Sequence, residues 1–240
     1  MAQQRLLPSK SSPGDGAWRE HVLHRFGLSN GDGTGPFAGL IIDAAGNLYG
    51  TTESGGVYKT GGTVYQLSPE PSGEWKETIL HSFAVNYRDG HTPGWGTLAM
   101  DAAGSLYGTT AGGGCCGGVV FRLTLDADGN WKETILYEFQ GGTRGFEAGA
   151  GVVLDRAGNL YGTTIAGGSD CDCGVVYKLA AVARGKWKYT VLHTFRGYDG
   201  AQPDANLIID DQGNLYGTAA TGGTYDGGVV FEILATPSSQ

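Results

Sequence analysis

Apolar and polar residues alternate along WKETILHSF, so that Trp75, Ile79 and Phe83 share one face while Thr78 and Leu80 lie on or near the other. A period of two marks a half-buried strand. A glycine-containing loop leads on to TLAMD (97–101), an AAG turn to SLYGTT (105–110), and AGGGCCGG to VVFRL (119–123). One stretch therefore predicts four short strands. The same order recurs. Trp18, Trp75, Trp131 and Trp187 are spaced by 57, 56 and 56 residues, and Tyr49, Tyr107, Tyr161 and Tyr216 by 58, 54 and 55.

Four antiparallel strands in a repeat of this length match one blade of a β-propeller, whose radial repetition protects strand edges. Within a blade, GLIID is the inner strand A, NLYGTT strand B, GTVYQL strand C, and the tryptophan-led segment the outer strand D. The chain opens with a lone D strand, WREHVLHRF, and closes with a C strand, GVVFEIL. The expected fold is thus all-β: a propeller of four four-stranded blades, closed by pairing of the N-terminal and C-terminal strands. The domain plan is a flexible segment at 1–17, one propeller at 18–234 and a tail at 235–240.

Asp43, Asp101, Asp155 and Asp210 each precede a small turn and a glycine, which suits an Asx-type turn whose carboxylate accepts backbone N–H groups. The tyrosine of each LYGTT is expected to fill the gap between blades, and the small residues after it to relieve crowding. A single active site has no use for four copies of one catalyst, so these residues read as structural. The 44 glycines lie at regular places between apolar runs and read as turn residues. The formal charge of -8 opposes binding to nucleic acid. No run approaches the ~20 apolar residues of a membrane helix, and MAQQRLLPSKSSPGDG lacks the apolar region of a signal peptide.

The combination of LHSF, DGxxP, GLIIDAAGNLYGTT, GG and GTVYQL resembles the GloVer-type bacterial tandem-repeat family, over residues 18–233. That resemblance implies an extracytoplasmic β-propeller, secreted or at the cell surface. It brings no catalytic residues with it.

Antiparallel succession sends the D-to-A and B-to-C loops to one face, and these loops differ from copy to copy. Variable loops on a rigid scaffold are where function is usually carried. The expected ligand-binding residues are Tyr58, Tyr87, Arg88, Asp89, His91, Trp95, Arg144, Phe146, Glu147, Tyr198, Asp199, Tyr225 and Asp226, with Asn30, Asp32, Lys59, Asp170 and Gln202 on the same face. Aromatic rings beside carboxylates and amides suit a sugar: the ring covers C–H faces and the polar groups fix hydroxyls. Trp95 stands out as the tryptophan outside the repeated position.

His24, His81 and His193 share the L-H-x-F position, where the third copy has Tyr137, and they read as interblade hydrogen-bonding groups. Asp-Gly pairs at 32–33, 89–90 and 199–200 lack the spacing of an EF-hand and read as turns. Neither a metal nor any other cofactor is assigned. Cys115 with Cys116, and Cys171 with Cys173, sit in equivalent loops; the even count favours disulfides, and a bridge within each loop is expected over pairing between loops. The spacing differs from that of zinc knuckles. The function expected is noncatalytic binding of a glycan or surface polymer through the variable loops, with a glycan or surface protein as partner of a monomer or homodimer. A structural scaffold is the alternative, and a carbohydrate hydrolase or lyase using Asp89, Glu147 or Asp199 is the third reading.

Overall fold

The computed structural model describes residues 18–84, 89–93, 95–115, 117–182 and 185–235. Tyr87, Arg88, Cys116 and the segments 1–17 and 236–240 therefore lie outside the described residues. The first repeat contains β1 (Gly33–Thr34), β2 (Ile41–Ile42), β3 (Leu48–Thr52), β4 (Ser54–Gly55), β5 (Thr63–Pro69) and β6 (Trp75–Ser82). The second contains β7 (Gly90–His91), β8 (Ala99–Met100), β9 (Leu106–Thr109), β10 (Gly112–Gly113), β11 (Val119–Leu125) and β12 (Trp131–Glu138). A single 3-10 turn (Gly142–Arg144) precedes β13 (Val153–Leu154), β14 (Leu160–Thr164), β15 (Val175–Val182) and β16 (Lys186–Thr194); β17 (Ile208–Ile209), β18 (Leu215–Ala219) and β19 (Val229–Ile233) complete the chain.

Each repeat forms a main antiparallel sheet that follows the expected strand order, as in β2-β3-β5-β6, and the first two repeats add the short ladders β1-β4 and β7-β10. The first three sheets have four strands and the fourth has three. The A-to-B turn is the Asx turn read from sequence. Asp43 accepts the Ala45 and Asn47 amides on Oδ1, and the Asn47 side chain and the Tyr49 hydroxyl on Oδ2. Asp155 repeats all four bonds, while Asp101 keeps the two amides and the tyrosine. Hydrogen bonds from the asparagine or serine and the tyrosine outweigh desolvation and hold these carboxyls below their ordinary range.

The glycine of LYGTT has a reason the sequence did not disclose. A Cβ on Gly108 or Gly162 would lie 2.5 Å from the ring of Phe121 or the hydroxyl of Tyr177 on the neighbouring C strand. The aromatic side chain passes close over the strand, and a Cβ there would collide with it. Successive sheets then bury one another. Tyr49, Val64 and Phe83 pack on Leu98, Leu106 and Phe121, and equivalent clusters join the second sheet to the third and the third to the fourth.

Among the described residues the expected pairing of the two terminal strands is not seen: residues 18–26 adopt no ladder, and β19 has no outer neighbour. Val230 is 81 % exposed, whereas Val64, Val120 and Val176 at the same position are fully buried. The N-terminal segment instead lies against the first sheet: the Phe26 ring meets Tyr65 edge-on at 4.9 Å, as Phe83 meets Phe121 at 5.2 Å. Among the described residues, 18–26 is an outer-strand segment without a ladder partner and the fourth sheet lacks an outer strand.

Candidate functional site

The variable loops are welded into one band. The D-to-A loop of each sheet bonds to the B-to-C loop before it through Thr92 N to Gly61 O, Glu147 N to Gly117 O and Gln202 N to Cys173 O. It also accepts from its own B-to-C loop, as Ala111 N to Thr92 O and Ile165 N to Glu147 O. Thr92, Glu147 and Gln202 hold positive φ values of 63°, 62° and 56° at one equivalent position, a backbone conformation that non-glycine residues rarely adopt.

On this band Tyr58, Trp95, Tyr198 and Tyr225 are exposed, Tyr225 almost completely. Trp95 sits beside Gly149 of the next repeat. Tyr58, Asn30 and Asp32 line one groove of about 530 Å³, and Lys59 lies on an adjoining one. Other expected ligand residues have local duties. His91 Nδ1 lies 3.0 Å from Thr92 Oγ1, Phe146 pairs with Ala166, the Arg144 carbonyl accepts the Tyr189 hydroxyl, and Asp226 accepts the Gly222 amide. Cys171 and Cys173 form a disulfide within one B-to-C loop, as expected. The pairing expected in the preceding loop involves Cys116, which is not described.

Asp89 and Asp199 turn inward rather than to the loop surface. Asp89 Oδ1 lies 3.8 Å from His81 Nε2, which is also 3.6 Å from Glu133 Oε2 on the next outer strand. His24 stands in the same way 3.6 Å from Asp32 and 3.5 Å from Glu77. Each histidine edge stacks on the phenylalanine two residues on, Phe26 or Phe83, which fixes its plane. Burial pushes the Glu133 carboxyl up to about 8, with the Asp89 charge adding to it, and burial raises Glu77 likewise. Asp89 is driven the other way: burial opposes its ionisation, but the neighbouring His81 imidazole and the hydrogen bond from the Ala84 amide prevail and lower it. Sequence reasoning kept these histidines and aspartates apart and missed Glu77 and Glu133 altogether. The available signal was their shared phase in the repeat.

The profile of the Gloeobacter/Verrucomicrobia repeat matches residues 10–151 and 62–240, which together take in nearly all of the chain. The chain belongs to this family. Comparison with curated proteins finds no relative of the repeat protein by sequence. Among solved structures, the Gloeobacter/Verrucomicrobia repeat chain is similar to a luciferin-regenerating enzyme at 16 % identity and a TM-score of 0.51, covering 83 % of this chain and 61 % of that one. It also matches a gluconolactonase from Xanthomonas campestris at 15 % identity and a TM-score of 0.49, over 83 % and 62 % of the two chains. A GH43 endo-arabinanase from Bacillus licheniformis matches at 12 % identity and a TM-score of 0.43, over 84 % and 73 %. The repeat chain spans less than two thirds of the first two proteins. The first of these likenesses supports a propeller-type fold and nothing about activity. No helix among the described residues is long and apolar enough to cross a membrane.

Proposed function

We propose that the chain is a noncatalytic binding module of an exported bacterial protein, recognising a glycan or surface polymer through its D-to-A and B-to-C loops. The observation that carries this reading is the set of exposed rings, Tyr58, Trp95, Tyr198 and Tyr225, on loops whose backbones are already bonded to one another. Such a surface offers apolar area with little ordering cost on binding. The acidic residues that an enzyme would need fit less well. Asp89 and Asp199 face interblade histidines rather than an open cleft. Glycoside hydrolysis calls for two carboxyls across a substrate-sized gap. The Cys171–Cys173 bridge agrees with export.

The test is a glycan array followed by calorimetry on any hit. Trp95→Ala should abolish binding of that glycan while altering stability by less than about 0.5 kcal/mol. Unchanged affinity in this variant, or no hit for the unaltered protein, would reject the reading.

A second part of the proposal concerns the open ends. Residues 18–26 have the outer-strand pattern, and β19 lacks an outer strand. Glu20 stands two residues after Trp18, as Glu77 follows Trp75 and Glu133 follows Trp131. Pairing of 18–26 with β19 would bring Glu20 toward His193, which lies 3.2 Å from Asp199. The strand comes from the same chain in a closed ring or from a second copy in a dimer. Light scattering distinguishes the two, and resistance of β19 amides to hydrogen exchange tests whether the edge is covered at all; rapid exchange there would refute the pairing.

A further inference from the structure

We infer that the two His–Asp–Glu clusters between blades, His24 with Asp32 and Glu77, and His81 with Asp89 and Glu133, are binding sites for a divalent transition cation of the zinc class.

Geometry carries the inference. In each cluster one atom from each of the three residues lies within 4.8 Å of the other two. The imidazole-to-carboxylate separations are 3.5, 3.6, 3.6 and 3.8 Å. These are too long for hydrogen bonds, and an imidazolium shared between carboxylates would draw them in to about 2.8 Å. Ligands held about 2.0–2.2 Å from a tetrahedral zinc stand about 3.3–3.6 Å apart. Three of the four separations fall in that range and the fourth, His81 to Asp89 at 3.8 Å, lies just beyond it, so the clusters have dimensions compatible with coordination edges.

Orphaned polar atoms point the same way. The Asp32 side chain is only 2 % exposed, and its Oδ1 has no hydrogen-bond partner. His24 Nε2, His81 Nε2 and Asp89 Oδ1 likewise have no partner, and so does Oε1 of each glutamate, whose other oxygen, Oε2, faces the imidazole. Leaving such atoms unpaired costs free energy that a bound cation removes. The aspartates are already aimed: Leu28 N holds the far oxygen of Asp32 at 3.2 Å, and Ala84 N that of Asp89 at 2.8 Å, leaving Oδ1 directed into the cluster. Asp32 and Glu77 also border the groove beside Tyr58, which provides a route from solvent.

The chain contains its own control. At the next interface the three positions are Tyr137, Arg144 and Tyr189, and the two tyrosine rings stack 4.1 Å apart at 6°. Arg144 takes the place of Asp89 by the glycine that follows each: a Cβ on Gly90 or Gly145 would strike Thr110 or Thr164 alike. The blade-to-blade contact therefore does not require the ionic cluster. All three members are exchanged together, as groups that meet at one point do. One imidazole and two carboxylates favour zinc-class cations over calcium, which needs six to eight oxygens.

The test is calorimetric titration of the metal-stripped full chain with Zn²⁺, with Ca²⁺ as comparison. Two equivalents of Zn²⁺ should bind, and Glu77→Gln and Glu133→Gln should each weaken one of them by at least about tenfold. Co²⁺ added to the unaltered protein should develop the visible bands of a four- or five-coordinate site, a readout that depends on no variant folding. Absence of Zn²⁺ uptake and of those bands would overturn the proposal. So would uptake that both glutamine variants leave unchanged.

Discussion

The interface between the first and second blades and that between the second and third share a backbone plan and differ in what fills the outer seam. Both bury a phenylalanine, Phe83 or Phe139, edge-on against an aromatic ring of the next C strand. Outward of that ring the first seam holds His81, Asp89 and Glu133, and the second holds Tyr137 stacked on Tyr189. The inner layer is therefore the part that joins blades. The outer layer is free to carry something else: packing in one place, a cluster of unsatisfied ligand atoms in the other. Repetition across the chain separates the two roles without reference to any other protein.

Removing the shared layer should have the largest effect and should not distinguish the seams. Phe83→Ala and Phe139→Ala each truncate a fully buried ring and should cost about 3–5 kcal/mol in urea denaturation. A large difference between them would mean that the inner layers are not equivalent. The outer layer should separate the seams. Tyr189→Ala loses stacking and buried area and should cost about 2–3 kcal/mol. Glu133→Leu, measured in metal-free protein, should change stability by less than about 1 kcal/mol, because an uncompensated buried carboxyl is exchanged for apolar packing.

Smaller effects come from the turns common to both seams. Asp101→Ala and Asp155→Ala should each cost about 1–2 kcal/mol at neutral pH through loss of charge-assisted hydrogen bonds. Their carboxyls lie below the ordinary value of 3.8 in the folded chain. The unfolded state therefore takes up protons first as pH falls, so the contribution is complete above that value and disappears as pH drops through the lower folded one. Denaturation at neutral pH and at about pH 2 should show the difference between parent and variant shrinking. A difference that grew in acid would contradict the assignment.

Much of the blade was legible in the chain. The alternation around Trp75 predicts β6, the spacing of Tyr49 from Asp43 predicts the turn they close, and the tyrosine of each LYGTT does fill an interblade gap where a blade follows. Those features are local, so the period of the sequence carries them. The clusters were not legible in the same way because their members come from three segments of two repeats. His81, Asp89 and Glu133 meet only after one blade lies on the next. Asp-Gly reads as a turn, although its glycine answers to the close approach of Thr110. A lone outer strand at one end and a missing one at the other suggest a ring, and whether they pair depends on side-chain packing across seams, which leaves no periodic trace in the sequence.

Exchanging one seam's outer layer for the other's tests the account most directly. A chain carrying His81→Tyr, Asp89→Arg and Glu133→Tyr should keep the circular dichroism and cooperative unfolding of the parent, while elemental analysis after Zn²⁺ loading finds one equivalent fewer. Retention of the parent's full zinc content by that folded variant would contradict it.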